Sequence, residues 1–257
     1  MLQTKKNFWG KRPGFDFGDI LHLVVNVGFV AVVYALIAYW SLVPLALILI
    51  FLGKWRTLAV RPRFWLPNIK ANLVDIIVGV ASVTLISQAE YQLVGVVWAL
   101  LYVGWLLFIK PKNATLFVGV QAFWAQFLGL LALFMVSSLV KMPLAIVVLV
   151  WLVAWSSARH YLSDYDEPNY KLLALIWGLL ISQMAWFSLH WVQYFVLFKI
   201  DIAVFSLIVS IFSASLGSMY YGYKNDSLNK SVVLENSIFA GALLTVVLIT
   251  AGWVARL

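Results

Sequence analysis

Long runs of apolar residues, separated by short polar segments, make up almost the whole of this 257-residue chain. The runs are continuous rather than alternating, which indicates transmembrane helices and not the strands of a membrane β-barrel. A helix needs about 20 apolar residues to cross roughly 30 Å of hydrocarbon. The pattern therefore predicts an all-α fold, a polytopic integral membrane helix bundle of about nine transmembrane helices. The predicted spans cover residues 20–40, 42–58, 73–89, 92–109, 114–137, 143–158, 171–189, 200–221 and 234–255.

The polar segments between the predicted spans are too short to fold as a soluble domain. We therefore expect residues 1–257 to form a single transmembrane domain, with a short cytoplasmic N-terminal segment over residues 1–19. Four basic residues precede the first apolar run, as they do in a signal peptide. The run is too long for a signal peptide and no small-residue cleavage site follows it, so the first span is predicted to remain uncleaved.

The second predicted span is the shortest, because only residues 42–53 are uninterrupted by charge, and they make about 18 Å of helix. It can cross if the helix continues through Lys54 and Arg56 with both side chains reaching the interface. The alternative is eight spans plus a re-entrant segment. Nine spans with a cytoplasmic N-terminus place 15 of the 18 lysines and arginines on the cytoplasmic side. The three left outside are Lys141, Lys199 and Arg256. This bias favours nine spans and an external C-terminus.

Composition narrows the function classes. Hydrophobic residues make up 64% of the chain and charged residues 11%, which excludes a soluble enzyme with a polar surface and a disordered protein. The chain has no cysteine, so disulfides and thiolate chemistry are excluded. The net charge of +8 is explained by cytoplasmic loops that contact anionic lipid, and no nucleic-acid partner is predicted.

The predicted partners are the lipid bilayer and membrane proteins, including a homo-oligomer. The short loops suit the plasma (inner) membrane of a bacterium.

Small and polar residues recur at helical spacing on the last two predicted spans, where they predict faces that pack against other helices. On the eighth span they are Ser206, Ser210, Ser213 and Gly217. On the ninth they are Ser237, Gly241, Thr245, Leu248 and Gly252. We expect leucine at position 210 or 241 to weaken the bundle.

Ionisable residues lie at the ends of the predicted spans and not at their centres, which argues against a proton relay or a charge-coupled carrier site. One candidate polar cluster is expected on the cytoplasmic side, from Asp16, Asp19, His22 and Asp75.

A second group consists of His160, Asp164 and Glu167. A helix that continues past the sixth span would place these three on one face, where they are candidates for acid–base chemistry. The favoured interpretation of this second group is an interfacial helix end. No metal or cofactor motif is present, so no cofactor is predicted.

The fifth predicted span carries polar residues near its centre. Gln121, Trp124 and Gln126 are candidates for lining a substrate cavity within the bundle. The alternative is that Trp124 fills the core or faces lipid.

Three functions agree with these patterns. The leading hypothesis is a non-enzymatic binder or transporter of an uncharged or lipid-like molecule, which requires a cavity lined by the residues of the fifth span. The second is a structural or accessory subunit of a membrane complex, which requires a solid bundle with an exposed face of small residues. The third is an enzyme that acts on lipid at the cytoplasmic face, which requires His160, Asp164 and the nearby acids to converge.

Overall fold

The computed structural model describes residues 17–55, 59–112, 114–140, 142–190, 194–197 and 200–251. In this part of the chain there are nine helices: α1 (Phe17–Ala38), α2 (Val43–Leu52), α3 (Trp65–Ser87), α4 (Gln92–Gly104), α5 (Thr115–Val136), α6 (Pro143–Ser163), α7 (Tyr170–Ser188), α8 (Val204–Lys224) and α9 (Lys230–Thr250). A 3₁₀ turn, Pro62–Phe64, precedes α3, and a π-helical turn, Trp105–Ile109, continues α4. A hairpin of β1 (Tyr194–Leu197) and β2 (Ile200–Ala203) precedes α8.

Every helix except α2 is long and apolar enough to cross a membrane, once α4 is counted together with its π-helical turn. Large apolar side chains remain exposed all around the bundle, as at Leu93, Leu116 and Ile249, which are 75%, 74% and 76% exposed. Lipid is the solvent that suits such a surface. The predicted all-α polytopic membrane bundle is thus confirmed, with eight long helices and one short helix in the described residues.

The short helix α2 has ten residues, about 15 Å, and runs antiparallel to α3. Ile50 packs against Gly79, and Lys54 just after the helix contacts Asp75. Since Lys54 is later in the chain but meets the earlier residue of α3, α2 begins level with the C-terminal end of α3 and runs back along it. Helix α2 ends at Leu52, so the predicted continuation through Lys54 is wrong, and with ten residues α2 is shorter than the eight long candidate spans.

The helices define two ends of the bundle, which we call the proximal end, where α1 begins, and the distal end, where α1 finishes. Phe29 packs against Gly53, and Tyr34, further along α1, packs against Gly95 near the start of α4. The start of α4 is therefore distal. Lys54, Asp75 and the end of α4 lie towards the proximal end.

The core of the bundle is built around α5, which packs against α3, α6 and α8. In the apolar stretch of α5, 56% of the residues are buried, against 6% in α9. Gly129 of α5 allows close approach, because a Cβ at this position would lie 2.8 Å from Val153 of α6 and 2.9 Å from Ile77 of α3. Helix packing in lipid depends on such close contacts.

The two stripes of small residues differ in burial. Ser206 and Ser210 of α8 are 0% and 3% exposed, in agreement with the predicted packing face. On α9, Gly241 has nothing within 4 Å of the position of a Cβ. The expectation that leucine at Gly241 weakens the bundle is therefore wrong, because no helix in the described part of the chain contacts that flank of α9. Gly252 lies outside the described residues.

Two further boundaries differ from the prediction by several residues because they depend on more than hydropathy. Helix α3 begins at Trp65 and not at 73, since Asn68 and Lys70 lower the hydropathy without interrupting the helix. Asp75 is therefore well inside α3 and not near a span end. The residues before α8 form a hairpin in which Tyr194 pairs with Ala203, where the prediction began a helix at 200. Its aromatic and β-branched residues favour strands.

Candidate functional site

A cluster of three charged residues lies between α2, α3 and α4 towards the proximal end. Asp75 is 8% exposed, and its Oδ2 binds the Nζ of Lys54 and, at 2.9 Å, the Nζ of Lys110. The indole N–H of Trp105 donates to the other carboxylate oxygen at 3.0 Å. The side chain of Lys54 is 10% exposed and that of Lys110 is 41% exposed. Two ammonium groups and one carboxylate leave the cluster with one net positive charge. Asp75 and Lys54 are buried, and the three charged residues come from the region of three helices.

The π-helical turn that ends α4 explains how two of these residues reach Asp75. The backbone N–H of Lys110 donates to the carbonyl of Trp105 at 2.9 Å, five residues back. In an α-helix, residues five apart point in directions about 140° apart. The wider π turn reduces that angle, so both side chains can bind the same carboxylate. Single π turns are frequent at functional sites, which makes this cluster a candidate.

Asp75 was grouped in the sequence with Asp16, Asp19 and His22. In the structure the partners of Asp75 are two lysines and a tryptophan. His22 is exposed, and its carbonyl accepts a hydrogen bond from Asn26 at 2.7 Å. Asp16 and the side chain of Asp19 lie outside the described residues.

The polar contacts continue from this cluster to α5 and α6 through Gln121. Its amide nitrogen donates to the carbonyls of Ile109 and Lys112, both at 2.9 Å. Its amide oxygen lies 3.0 Å from Nε2 of His160, which acts as the donor because the oxygen can only accept. Gln121 thus joins the end of the π turn to α6, and both of its functional groups are used within the protein.

The second amide of α5, Gln126, lies at the middle of the bundle. The indole N–H of Trp177 on α7 donates to its oxygen at 3.0 Å, and its nitrogen donates to the hydroxyl of Ser213 on α8. Three helices are thereby linked by side-chain hydrogen bonds, which stabilise helix association in lipid. Trp124, the third candidate, is partly buried, and its indole N–H has no hydrogen-bond partner among the described residues.

The residues proposed for acid–base chemistry have separate surroundings. His160 contacts Gln121, and Asp164 is exposed at the end of α6. Glu167 accepts a hydrogen bond from Tyr220 at 2.5 Å and pairs with Lys224 at 2.7 Å. The hydrogen bond from Lys224 and, to a smaller extent, the one from Tyr220 hold the pKa of Glu167 below its usual value. Within the described residues, no three His, Asp or Glu side chains are close enough together to hold a metal ion.

Two of the cavities in the described part of the chain are considered as ligand sites, and neither is lined by Gln121, Trp124 or Gln126. One, of about 200 Å³, lies at the distal end between the α5–α6 turn and the hairpin. The other is an open apolar groove of about 480 Å³ along the lipid-facing side of α2. Ligand pockets are usually about 300–1,000 Å³, so the groove is in the usual range of volume and the distal cavity is below it.

In comparisons with known proteins, the chain matches no family model, no curated protein and no solved structure.

Proposed function

We propose that this protein is a non-enzymatic structural membrane protein that assembles with a second copy of itself through α9. The observation that carries the proposal is the open flank of Gly241, where nothing lies within 4 Å of the position of a Cβ. Ser237 and Thr245, one turn to either side of Gly241, are also exposed. These three residues of the predicted packing face are thus exposed on α9 in the part of the chain that the structure describes.

Helix α9 is attached to the bundle on one side only. It packs mainly on α8, and Ala240 is its one buried residue in the described range. At 3.6 residues per turn, Gly241 lies about 100° around the helix from Ala240, so the stripe is beside the contact with α8 and not within it. A second helix can pack there without displacing α8.

A second copy of the chain suits this flank for a geometric reason. Small residues four apart allow two helix backbones to approach closely, as in dimers of membrane helices. Two copies inserted in the same orientation present parallel α9 helices, and one stripe on each forms a self-complementary two-fold contact.

The other two functions have less support. The amide groups of Gln121 and Gln126 are hydrogen-bonded within the protein and line neither cavity, which does not favour a transporter with a central site. Acid–base chemistry at the proximal end is less favoured because His160 and Glu167 have different partners. Binding of a lipid-like molecule is favoured by the groove on α2.

We also propose an orientation for the bundle. The 15 basic residues of the favoured topology precede α1 in the sequence, or lie in the connections at the proximal end and in the helix ends next to them. Cytoplasmic loops collect Lys and Arg, so the proximal end and the N-terminus are assigned to the cytoplasm and the C-terminus to the outside of a plasma (inner) membrane.

Leucine at Gly241 is expected to weaken self-association by about five- to thirtyfold, which corresponds to about 1–2 kcal/mol of packing in lipid. Energy transfer between donor- and acceptor-labelled copies in lipid vesicles measures this association. Ala242→Leu is the matched control, because it adds similar bulk to the next exposed residue, about 100° further around the helix. A wild-type protein that stays monomeric at high density in the vesicles would contradict the proposal. So would equal association of the wild type and Gly241→Leu.

A further inference from the structure

We infer that α2 and its connection to α3 bind an anionic phospholipid, with an acyl chain in the groove on α2 and the phosphate at Arg61 and Arg63. This site is formed by α2 and the segment that follows it, and not by α9. The inference therefore does not depend on self-association.

The groove offers a long apolar surface. It is lined by Ile48, Phe51, Leu52, Trp55 and Ala59. The four larger side chains are between 51% and 63% exposed, although each is strongly hydrophobic. The surface is concave, with a volume of about 480 Å³. A concave apolar surface holds a flexible acyl chain through contacts on more than one side.

The charged residues that neighbour the groove in the sequence are of one sign. Between residues 20 and 74 the chain has five lysines and arginines and no acidic residue. The first acid after this stretch is Asp75, which is buried and already binds Lys54 and Lys110. Arg61 and Arg63 are exposed and form no ion pair with the described residues. An anionic headgroup is therefore the complementary partner, since Arg binds phosphate through several N–H donors.

Two hydrogen bonds lie along the segment between the groove and the arginines. Ala59, at the end of the groove, donates its backbone N–H to the carbonyl of Trp55 at 2.9 Å. The carbonyl of Val60, the next residue, accepts a hydrogen bond from the indole of Trp65 at 3.0 Å. Arg61 follows immediately, so a headgroup at the mouth of the groove is within reach of its guanidinium.

The test uses photo-crosslinking of the full-length protein in phosphatidylcholine nanodiscs. Trace phosphatidylglycerol or phosphatidylcholine carries a diazirine near the end of one acyl chain, and the labelled peptides are identified by mass spectrometry. Each basic residue near the membrane surface contributes about fivefold to the preference for anionic lipid, so the two arginines give on the order of 25-fold. We expect phosphatidylglycerol to label residues 48–59 with a preference of that size over phosphatidylcholine.

Three variants and one control separate the headgroup from the groove. Arg61→Gln with Arg63→Gln removes the preference, whereas Arg61→Lys with Arg63→Lys retains most of it because the charge is kept. Lys171→Gln with Lys230→Gln is the matched control, since it removes two exposed charges from the same end and leaves the preference unchanged. Ala59→Trp fills the groove and reduces labelling by both lipids.

Several results would overturn the inference. Equal labelling by the two lipids would mean an ordinary lipid-facing surface. A preference that survives Arg61→Gln with Arg63→Gln would place the headgroup elsewhere. Loss of the label on addition of soluble glycerol phosphate would mean a headgroup site without an acyl-chain groove.

Discussion

Replacing Asp75 with asparagine is expected to lower the free energy of unfolding by about 3–5 kcal/mol, the largest effect of any single exposed or buried charge in the described residues. The change keeps the shape of the side chain but removes its negative charge. The ammonium groups of Lys54 and Lys110, both bound to one carboxylate oxygen, are then left facing each other. A buried charge that loses its counter-ion retains the cost of desolvation without the compensating attraction.

Unfolding of the full-length protein in detergent, followed by circular dichroism, measures this effect. Asp164→Asn is the control, because Asp164 is exposed and its loss is expected to cost under about 0.5 kcal/mol. Lys54→Met combined with Asp75→Leu is expected to recover most of the loss, because both buried charges are removed together. If Asp75→Asn is as stable as Asp164→Asn, the ion cluster does not hold α2 against α3.

Replacing Gly129 with leucine is expected to lower the free energy of unfolding by about 3 kcal/mol. A Cβ alone at this position would lie 2.8 Å from Val153 and 2.9 Å from Ile77, which belong to helices on two sides of α5. Neither neighbour is a flexible side chain that can move aside, so the helix backbones must separate. The loss of close packing then extends along α3 and α6.

Gly241→Leu is the matched control for this second effect, since the same substitution occurs where nothing lies within 4 Å. It is expected to change the stability of the monomer by under about 0.5 kcal/mol in dilute detergent. The same unfolding measurement applies to both variants. Equal losses for the two glycines would show that α9 packs into the bundle, contrary to the structure.

The helical membrane fold could be predicted from the sequence because continuous apolar runs leave the backbone no other way to form its hydrogen bonds in lipid. The start of α3 at Trp65 could not be predicted, since Asn68 and Lys70 lower the hydropathy of a segment that is nevertheless helical. The hairpin before α8 was also missed. Tyr194 donates to the carbonyl of Phe134 at 3.2 Å, which attaches the hairpin to α5. Contacts of this kind depend on the tertiary fold.

The candidate site was less predictable than the fold. The sequence indicates Asp75 as a candidate, but its pairing with Lys54 and Lys110 depends on the relative depth of three helices and on a π turn. Gln126 was selected as an inward-facing residue, and it is buried, but its partners on α7 and α8 depend on which helices are neighbours. The stripes of α8 and α9 look alike in sequence. They differ in the structure because α8 has α5 on one side, whereas α9 is at the edge of the bundle.

Disulfide crosslinking in intact membranes tests the assembly through α9 most directly. Because the chain has no cysteine, Gly241→Cys introduces a single thiol, and a disulfide forms only where two Cα atoms approach to within about 7 Å. Phe239→Cys is the control, since Phe239 is 67% exposed but lies about 200° around the helix from Gly241. We predict that oxidation converts Gly241→Cys into a covalent dimer and leaves Phe239→Cys monomeric. A monomeric Gly241→Cys, or equal crosslinking at both positions, would contradict the proposed assembly.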